Sequence, residues 1–177
     1  MIDGKIELQN QAVKAAFARL RLAMGGQLID PMREVGRTLK TSTQLRFRAQ
    51  AGPDGVPWKP SKRVEQHGGQ TGRLSGRLRN SITYVATSSS VEVGTNLPYA
   101  APFHFGKTKP ETVRSHQRKV SVVFGRRLAS PATAQVRGFT RKPNQPARPV
   151  VGASVQDTAD ILAITGRYLF RSAGVMQ

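Results

Sequence analysis

The chain has 177 residues and a mass of 19.3 kDa, and its 28 Lys and Arg against 10 Asp and Glu give a formal net charge of +18. It contains no cysteine, which excludes disulfides, thiolate zinc sites, iron–sulfur clusters and cysteine nucleophiles. The 38% of hydrophobic residues suffice for a core, and no run of about 18 apolar residues predicts a membrane span. We therefore expect one soluble domain, with or without an appendage, made in a reducing cytoplasm.

The N-terminal residues predict a strand followed by a helix. Residues 2–8 alternate in polarity with the period of a half-buried strand. Asn10 can cap a following helix, and Gly25-Gly26 is expected to end it. Its apolar stripe has helical spacing and comprises Val13, Phe17, Leu20 and Met24.

A second helix is predicted over residues 31–50. Asp30-Pro31 places an acceptor side chain at the expected N-cap and a proline at the first helical position. The pattern is amphipathic, so this helix should pack on the first helix or on a sheet. Its predicted apolar face comprises Met32, Val35, Leu39, Thr43 and Phe47.

An irregular segment follows the second helix. Residues 51–58 contain Pro-Asp-Gly and two prolines, which favour turns and remove strand donors. Trp58, the only tryptophan, is expected to pin this loop to the core rather than to serve as a ligand platform. Residues 59–73 are polar and rich in glycine, and we predict them to be mobile.

The middle of the chain predicts a hairpin. Residues 75–81 suggest a short helix or turn, and residues 82–87 and 91–94 have the composition of two strands around a triple-serine turn. Residues 96–106 form a loop rich in proline and aromatic side chains.

More than half of the excess positive charge lies in residues 107–148. This basic stretch has 11 basic residues and one acidic residue, a net charge of +10. Alternation over Thr112–Phe124 and a return strand over Ala132–Thr140 predict a long two-stranded ribbon. Because such ribbons are marginal alone in water, it should need a surface to pack on.

The last predicted element is a helix that is buried or lies in an interface. Ser154 and Asp157 have the spacing of a capping box, and Asp157 with Asp160 should complement the helix dipole. The predicted stripe comprises Val155, Ala159, Leu162 and Leu169, widened by Ile161, Ile164 and Tyr168.

The sequence predicts no enzyme site, cofactor or metal. Its three histidines, His67, His104 and His116, are widely spaced and have no His/Asp/Glu cluster around them. Neither a Gly-x-Ser-x-Gly motif nor a phosphate-binding Gly-x-x-x-x-Gly-Lys loop occurs. We therefore expect no catalytic or cofactor-binding residue.

The sequence also lacks a defined nucleic-acid-binding motif, so positive charge is the only feature that suggests an anionic partner. Cations of the basic stretch could contact phosphates without reading sequence, or pair with acidic residues of a partner subunit. These expected DNA- or partner-contacting residues are Arg114, Arg118, Lys119, Arg126, Arg127, Arg137, Arg141 and Lys142.

A series of motifs in order resembles a known family. The segments are Gly52–Trp58, Ser75–Ile82, Val93–Asn96, Tyr99-Ala100, Phe105-Gly106 and Pro146–Gly152. Together they resemble the virion morphogenesis, or tail completion, proteins of Mu-like and related tailed phages. The resemblance assigns structural roles to Pro53, Asp54, Gly55, Trp58, Gly76, Leu78, Ser81, Tyr99, Gly106, Arg148, Pro149 and Gly152.

The sequence departs from the family pattern at one position, and one of its segments corresponds to a variable part of the family. The family usually has a histidine four residues after the tyrosine, but Phe103 stands there and His104 follows. Residues 107–145 correspond to the variable part of the family, so no role for the basic stretch carries over. We expect Arg148 to be a buried pairing residue or a cap.

The fold expected from sequence and resemblance is α+β. Two N-terminal helices and one C-terminal helix should pack on an antiparallel sheet, with residues 107–148 as a basic arm or insertion in a single domain, 1–177. The resemblance implies a non-enzymatic virion part, assembled in the host cytoplasm and located at the head–tail junction or tail end.

The resemblance also implies partners. We expect a homo-oligomeric ring, with six subunits, that meets other neck, tail-tube or head-completion proteins and the genome DNA, but no membrane. The alternative function is a sequence-nonspecific nucleic-acid-binding protein; a hydrolase is a third class, for which the sequence offers no site.

Overall fold

The computed structural model describes residues 10–26, 28–123 and 126–172, so the strand predicted over 2–8 lies outside the described residues. Within them the architecture is α+β, as predicted. The helices are α1 Gln11–Ala23, α2 Ile29–Ala49, α3 Lys62–His67, α4 Arg77–Asn80, α5 Ala100–Phe105 and α6 Val155–Ser172. The strands are β1 Thr83–Ala86, β2 Val91–Gly94, β3 Glu111–Val113, β4 His116–Val123, β5 Arg126–Val136 and β6 Phe139–Arg141.

The described chain divides into two compact units. The helical unit comprises the described residues up to Gly106 together with those from Ala147 onward, and the basic unit is Lys107–Pro146. The strands pair as three antiparallel two-stranded sheets: β1 with β2 in the helical unit, and β3 with β6 and β4 with β5 in the basic unit. The expectation of a single domain carrying an arm over 107–148 stays a prediction.

Helix α1 begins as its sequence predicts. The side chain of Asn10 accepts hydrogen bonds from the backbone N–H groups of Ala12, at 3.0 Å, and Val13, at 3.3 Å. These bonds satisfy two of the donors that a helix N-terminus leaves open. The helix ends at Ala23, and the glycines that follow have positive φ.

Helix α2 begins two residues earlier than predicted, so the predicted cap is wrong. Leu28 is the N-cap and makes no side-chain cap bond, while Asp30 lies in the first turn. There its carboxylate faces the positive end of the helix dipole and contacts Arg33 at 3.4 Å. The predicted apolar face is largely buried, with Phe47 fully enclosed.

The segment 59–73, predicted to be mobile, contains α3 and is tied to the end of α2. Gln50 caps α2 with a left-handed φ of 56°. Its side-chain amide donates to the carbonyls of Phe47 at 2.6 Å and Thr71 at 3.1 Å, and accepts from the Thr71 N–H at 2.7 Å. This double link to buried Thr71 explains how a polar, glycine-rich segment holds its place.

Helix α6 has the predicted capping box, and its predicted apolar stripe is buried at Ile161 and Ile164 but exposed at Val155 and Ala159. The Ser154 N–H donates to Asp157 at 2.8 Å, and the Asp157 N–H donates to the Ser154 hydroxyl at 3.0 Å. Val155 is 90% exposed, so its place in the predicted stripe is wrong. The buried positions of the helix are Asp157, Ile161, Ile164 and Thr165.

The core of the helical unit has three regions, the smallest of which comprises Leu20, Leu28 and Met32. One joins α1, α2 and α6 around Val13, Val35, Ile161 and Ile164. Another surrounds Phe47 at the opposite end of α2 and comprises Phe47, Trp58, Leu78, Ile82, Leu97, Ala100, Phe103 and Val150. This region around Phe47, called here the motif core, collects most of the segments that carried the resemblance.

Candidate functional site: the basic unit and the motif core

The basic unit is built from two antiparallel strand pairs. In the shorter pair, β3 and β6, Glu111 lies opposite Arg141. In the longer pair, called here the ribbon, β4 runs antiparallel to β5 from the His116–Val136 pair to the Val123–Arg126 pair. The register shifts between Val120 and Val122.

The return strand differs from its prediction over Ala132–Thr140. Strand β5 begins at Arg126, ends at Val136 and includes Pro131. Gly138 separates it from β6, and a Cβ at Gly138 would lie 3.4 Å from the Val113 carbonyl oxygen. A glycine at this close approach interrupts the alternation that the sequence suggested.

The predicted contact residues all lie in the basic unit, and all are exposed. Arg118 and Lys119 lie on β4, and Arg126 and Arg127 lie on β5. The remaining members lie on β6 or in the connections next to the strands; they are Arg114, Arg137, Arg141 and Lys142. The structure therefore collects these residues in one compact unit, and their contacts with DNA or a partner stay a prediction.

Glu111 is the single acidic residue of the basic unit, against ten basic residues. Lys107 and Arg141 both bind its carboxylate. Their hydrogen bonds, that of Lys107 first, lower the pKa of Glu111. Arg141 is thus engaged within the unit, which the sequence pattern did not reveal.

The other eight cations of the basic unit, called here the ribbon cations, have no such partner. Among the described residues, none of them makes a side-chain hydrogen bond or ion pair. They are Lys109, Arg114, Arg118, Lys119, Arg126, Arg127, Arg137 and Lys142. These cations give the surface of the basic unit a positive potential.

In the motif core, Trp58 pins its loop as predicted. Its ring meets those of Phe47 and Phe103 edge-on, with centroids 5.4 and 5.6 Å apart. Its indole N–H donates to the Pro149 carbonyl at 2.9 Å. One side chain therefore joins the end of α2, α5 and the segment before α6.

The Pro-Asp-Gly turn packs against the same segment. The Asp54 carboxylate accepts the Val56 N–H at 3.1 Å, and Gly55 has a φ of 77° that favours glycine. A Cβ on Gly152 would lie 2.8 Å from the Pro53 ring. Backbone geometry therefore favours glycine at position 55, and close packing on Pro53 favours it at position 152.

Arg148 is a buried pairing residue, one of the two roles expected for it. It is 4% exposed, and its guanidinium donates to the carbonyls of Lys59 at 2.8 Å and Pro60 at 3.2 Å. The guanidinium also lies 5.5 Å from the Phe103 ring centroid, a cation–π distance. Burial lowers the pKa of Arg148 from its ordinary value.

His104 has a structural contact. Its Nδ1 accepts the backbone N–H groups of Val150 at 3.1 Å and Val151 at 3.4 Å. Burial lowers the pKa of His104. Because Nδ1 accepts both bonds, the neutral ring carries its proton on Nε2.

The other motif positions are also used for packing or turns. Leu78 is buried, and the hydroxyls of Ser81 and Thr95 lie 2.7 Å apart. Gly76 and Gly106 have φ of 74° and 77° next to short helices, whereas Tyr99 is 46% exposed. The motif segments therefore form a scaffold.

A comparison with known families matches residues 8–170 to the phage virion morphogenesis family. The chain belongs to this family. No curated protein and no solved structure shows a significant match to the chain. The virion morphogenesis assignment gives the chain a structural or assembly role in a phage virion, which confirms the resemblance seen in the motifs.

Two further features concern the described part of this virion morphogenesis chain. Across residues 10–26, 28–123 and 126–172, no helix is long and apolar enough to cross a membrane. In the same residues, no group of three His, Asp or Glu could hold a metal ion.

Sequence reasoning missed a buried ion pair beside the motif core. Arg46 on α2 contacts Asp157 on α6 at 2.6 Å, and it also donates to the Val150 carbonyl at 2.6 Å. Burial lowers the pKa of Arg46 while Asp157 opposes the shift. The signal was available, since an arginine falls between Thr43 and Phe47 on an otherwise apolar helix face.

Proposed function

We propose that this chain is a non-enzymatic structural protein that acts in head–tail joining, as a tail completion or terminator protein or as a neck ring subunit. The observation that supports this most is the family match over residues 8–170. The motif positions agree with it, because Trp58, Arg148 and Gly152 are used for packing and backbone geometry. A scaffold of this kind holds a subunit in a fixed shape for assembly.

The proposed assembly is a homo-oligomeric ring, with six subunits, placed at the head–tail junction or at the tail end. A ring requires a heterologous interface whose rotation closes. Other neck, tail-tube or head-completion proteins would bind its two faces. The genome would pass through the channel, and the basic unit would contact this DNA or an acidic neighbouring protein.

The test is to make phage particles with and without the chain and to image them. We expect particles lacking it to accumulate as unjoined heads and tails, with infectivity restored by the chain supplied in trans. In complete particles, the density of the helical unit should repeat around a ring at the joint or tail end. Infectious, joined particles made without the chain would contradict the proposal.

The alternative function, a free sequence-nonspecific nucleic-acid-binding protein, is favoured by the charge of the basic unit. A salt titration of the isolated chain on duplex DNA separates the two. A free DNA-binding protein should bind tightly as an isolated chain at physiological salt, whereas an isolated ring subunit should bind measurably only at low salt until assembly multiplies its contacts.

A further inference from the structure

We infer that the basic unit contacts the phosphate backbone of duplex DNA, and that its partner is neither another copy of this chain nor an acidic protein. The inference rests on the proposed function, which places the chain on the path of the genome. The inference chooses duplex DNA over an acidic neighbouring protein as the partner of the ribbon cations.

The first step is the charge that lacks a partner. The basic unit has a net charge of +9, and Glu111 already binds Lys107 and Arg141. The eight ribbon cations are all exposed and make no ion pair among the described residues. Holding so many like charges together is unfavourable unless an external anion compensates them.

The second step excludes a second copy as that anion. The rest of the chain also has a net charge of +9, with 18 basic and nine acidic residues. Several of those acids are already engaged: Asp157 binds Arg46, Glu34 binds Arg167, and Asp30 contacts Arg33. Neighbouring copies would therefore repel the ribbon cations.

The third step is the arrangement of cations along the ribbon. Side chains directly opposite in a strand pair share a face. Arg118 and Lys119 are consecutive on β4, so they lie on opposite faces of the ribbon. Arg127 and Arg126 are consecutive on β5 and pair with Val122 and Val123 beyond the register shift, roughly 13 Å along β4 from Arg118 and Lys119.

A narrow ribbon with cations on both faces suits a DNA groove. The major groove is about 12 Å wide and admits a two-stranded ribbon, with phosphates on both of its walls. Cations on opposite faces then reach both walls, whereas one charged face of a flat surface would reach only one. Contacts of this kind fix position without reading sequence.

The fourth step weighs an acidic protein against DNA. Protein interfaces depend on a buried cluster of aromatic or aliphatic anchors. In the described part of the basic unit, the large apolar side chains that are exposed are Val122 and Phe139, which lie on strands of two different pairs. The described part of the ribbon therefore offers charge without an apolar anchor cluster, which favours a phosphate backbone.

The test is the salt dependence of duplex DNA binding by the full chain, measured by fluorescence anisotropy from low salt upward. The variant replaces Arg118, Lys119, Arg126 and Arg127 with Gln. If all four contact phosphates, the slope of log affinity against log salt should fall by about 3 to 4, near 0.9 per contact. Since these residues are exposed, circular dichroism should show an unchanged fold.

The matched control removes the same charge from the helical unit, by replacing Arg19, Arg21, Arg37 and Arg48 with Gln. These residues are also exposed. We expect the control to change the slope by less than one. Equal slopes for the two variants, or a ribbon variant indistinguishable from the wild-type chain, would overturn the inference.

The acidic-protein alternative has its own outcome. If the ribbon variant binds duplex DNA like the wild-type chain but loses retention on polyglutamate, the partner is an acidic polypeptide and the inference is wrong. Particle imaging separates this from the proposed function. If particle images place the chain in the joint but the ribbon variant keeps the salt slope of the wild-type chain on duplex DNA, only the inference is refuted. If the chain is absent from particles, the proposed function is refuted.

Discussion

Replacing Asp157 with Asn should destabilise the helical unit strongly. The carboxylate contacts Arg46 at 2.6 Å and accepts the Ser154 N–H at 2.8 Å, and the side chains of the ion pair are only 7% and 2% exposed. Breaking a buried pair from one side costs about 3–5 kcal/mol, because the remaining charge is uncompensated. Asn keeps an oxygen for Ser154, so we expect a loss of about 3 kcal/mol in the free energy of unfolding.

The assay is urea unfolding followed by circular dichroism, with the midpoint shift read at constant slope. Asp30→Asn is the matched control, because its pair with Arg33 is exposed and should be worth less than about 1 kcal/mol. The double variant Arg46→Met with Asp157→Leu should recover most of the loss, since no lone charge remains. A loss for Asp157→Asn below about 1 kcal/mol would refute the reasoning.

Three further predictions concern positions where the structure gives a specific contact. Gly36→Ala should destabilise the protein by about 1–3 kcal/mol, because the new methyl group overlaps the Tyr84 ring. Gly166→Ala has open space around it and should stabilise the protein by up to about 1 kcal/mol. Equal effects of the two variants on thermal unfolding would contradict this. Because burial lowers the pKa of His104, the unfolded chain takes up a proton that the folded chain does not. The contribution of neutral His104 to the free energy of unfolding is then complete above about pH 6.5, the ordinary pKa of histidine. It declines as the pH falls toward the lowered pKa of the folded state. His104→Asn, which keeps an acceptor, should flatten that decline in urea unfolding series at successive pH values, and an unchanged decline would exclude His104 as its cause. Trp58→Phe should cost about 1–3 kcal/mol in urea unfolding, since the Pro149 carbonyl loses its donor, and a neutral result would show that this bond is dispensable.

The elements with local signals could be predicted from the sequence. Asn10 and the Ser154–Asp157 box each act through backbone groups within a few residues, so the sequence alone predicts them. The start of α2 was misplaced because Asp30 can stabilise a first turn as well as cap it. Residue preferences alone do not distinguish an aspartate at the N-cap from an aspartate in the first turn.

The partners in long-range contacts were beyond the reach of patterns. The pair of Arg46 with Asp157 joins residues 111 positions apart; an arginine on the apolar face of α2 indicates a buried partner, but Asp157 already had a local role in its capping box. The prediction for α6 was wrong at Val155 and Ala159 for a related reason. Both sides of that helix are apolar, so only its packing on α1 and α2 decides that Ile161 is buried and Val155 is exposed.

The two parts of the candidate site differ in how their residues are used. In the motif core, the polar groups of Trp58, Arg148 and His104 form hydrogen bonds with backbone groups of the chain. In the basic unit, the ribbon cations have polar groups that are satisfied only by water or by a partner. Substitutions in the motif core should therefore reduce folding and assembly together, whereas substitutions of Arg118 or Arg127 should leave the fold intact and change only what the unit binds.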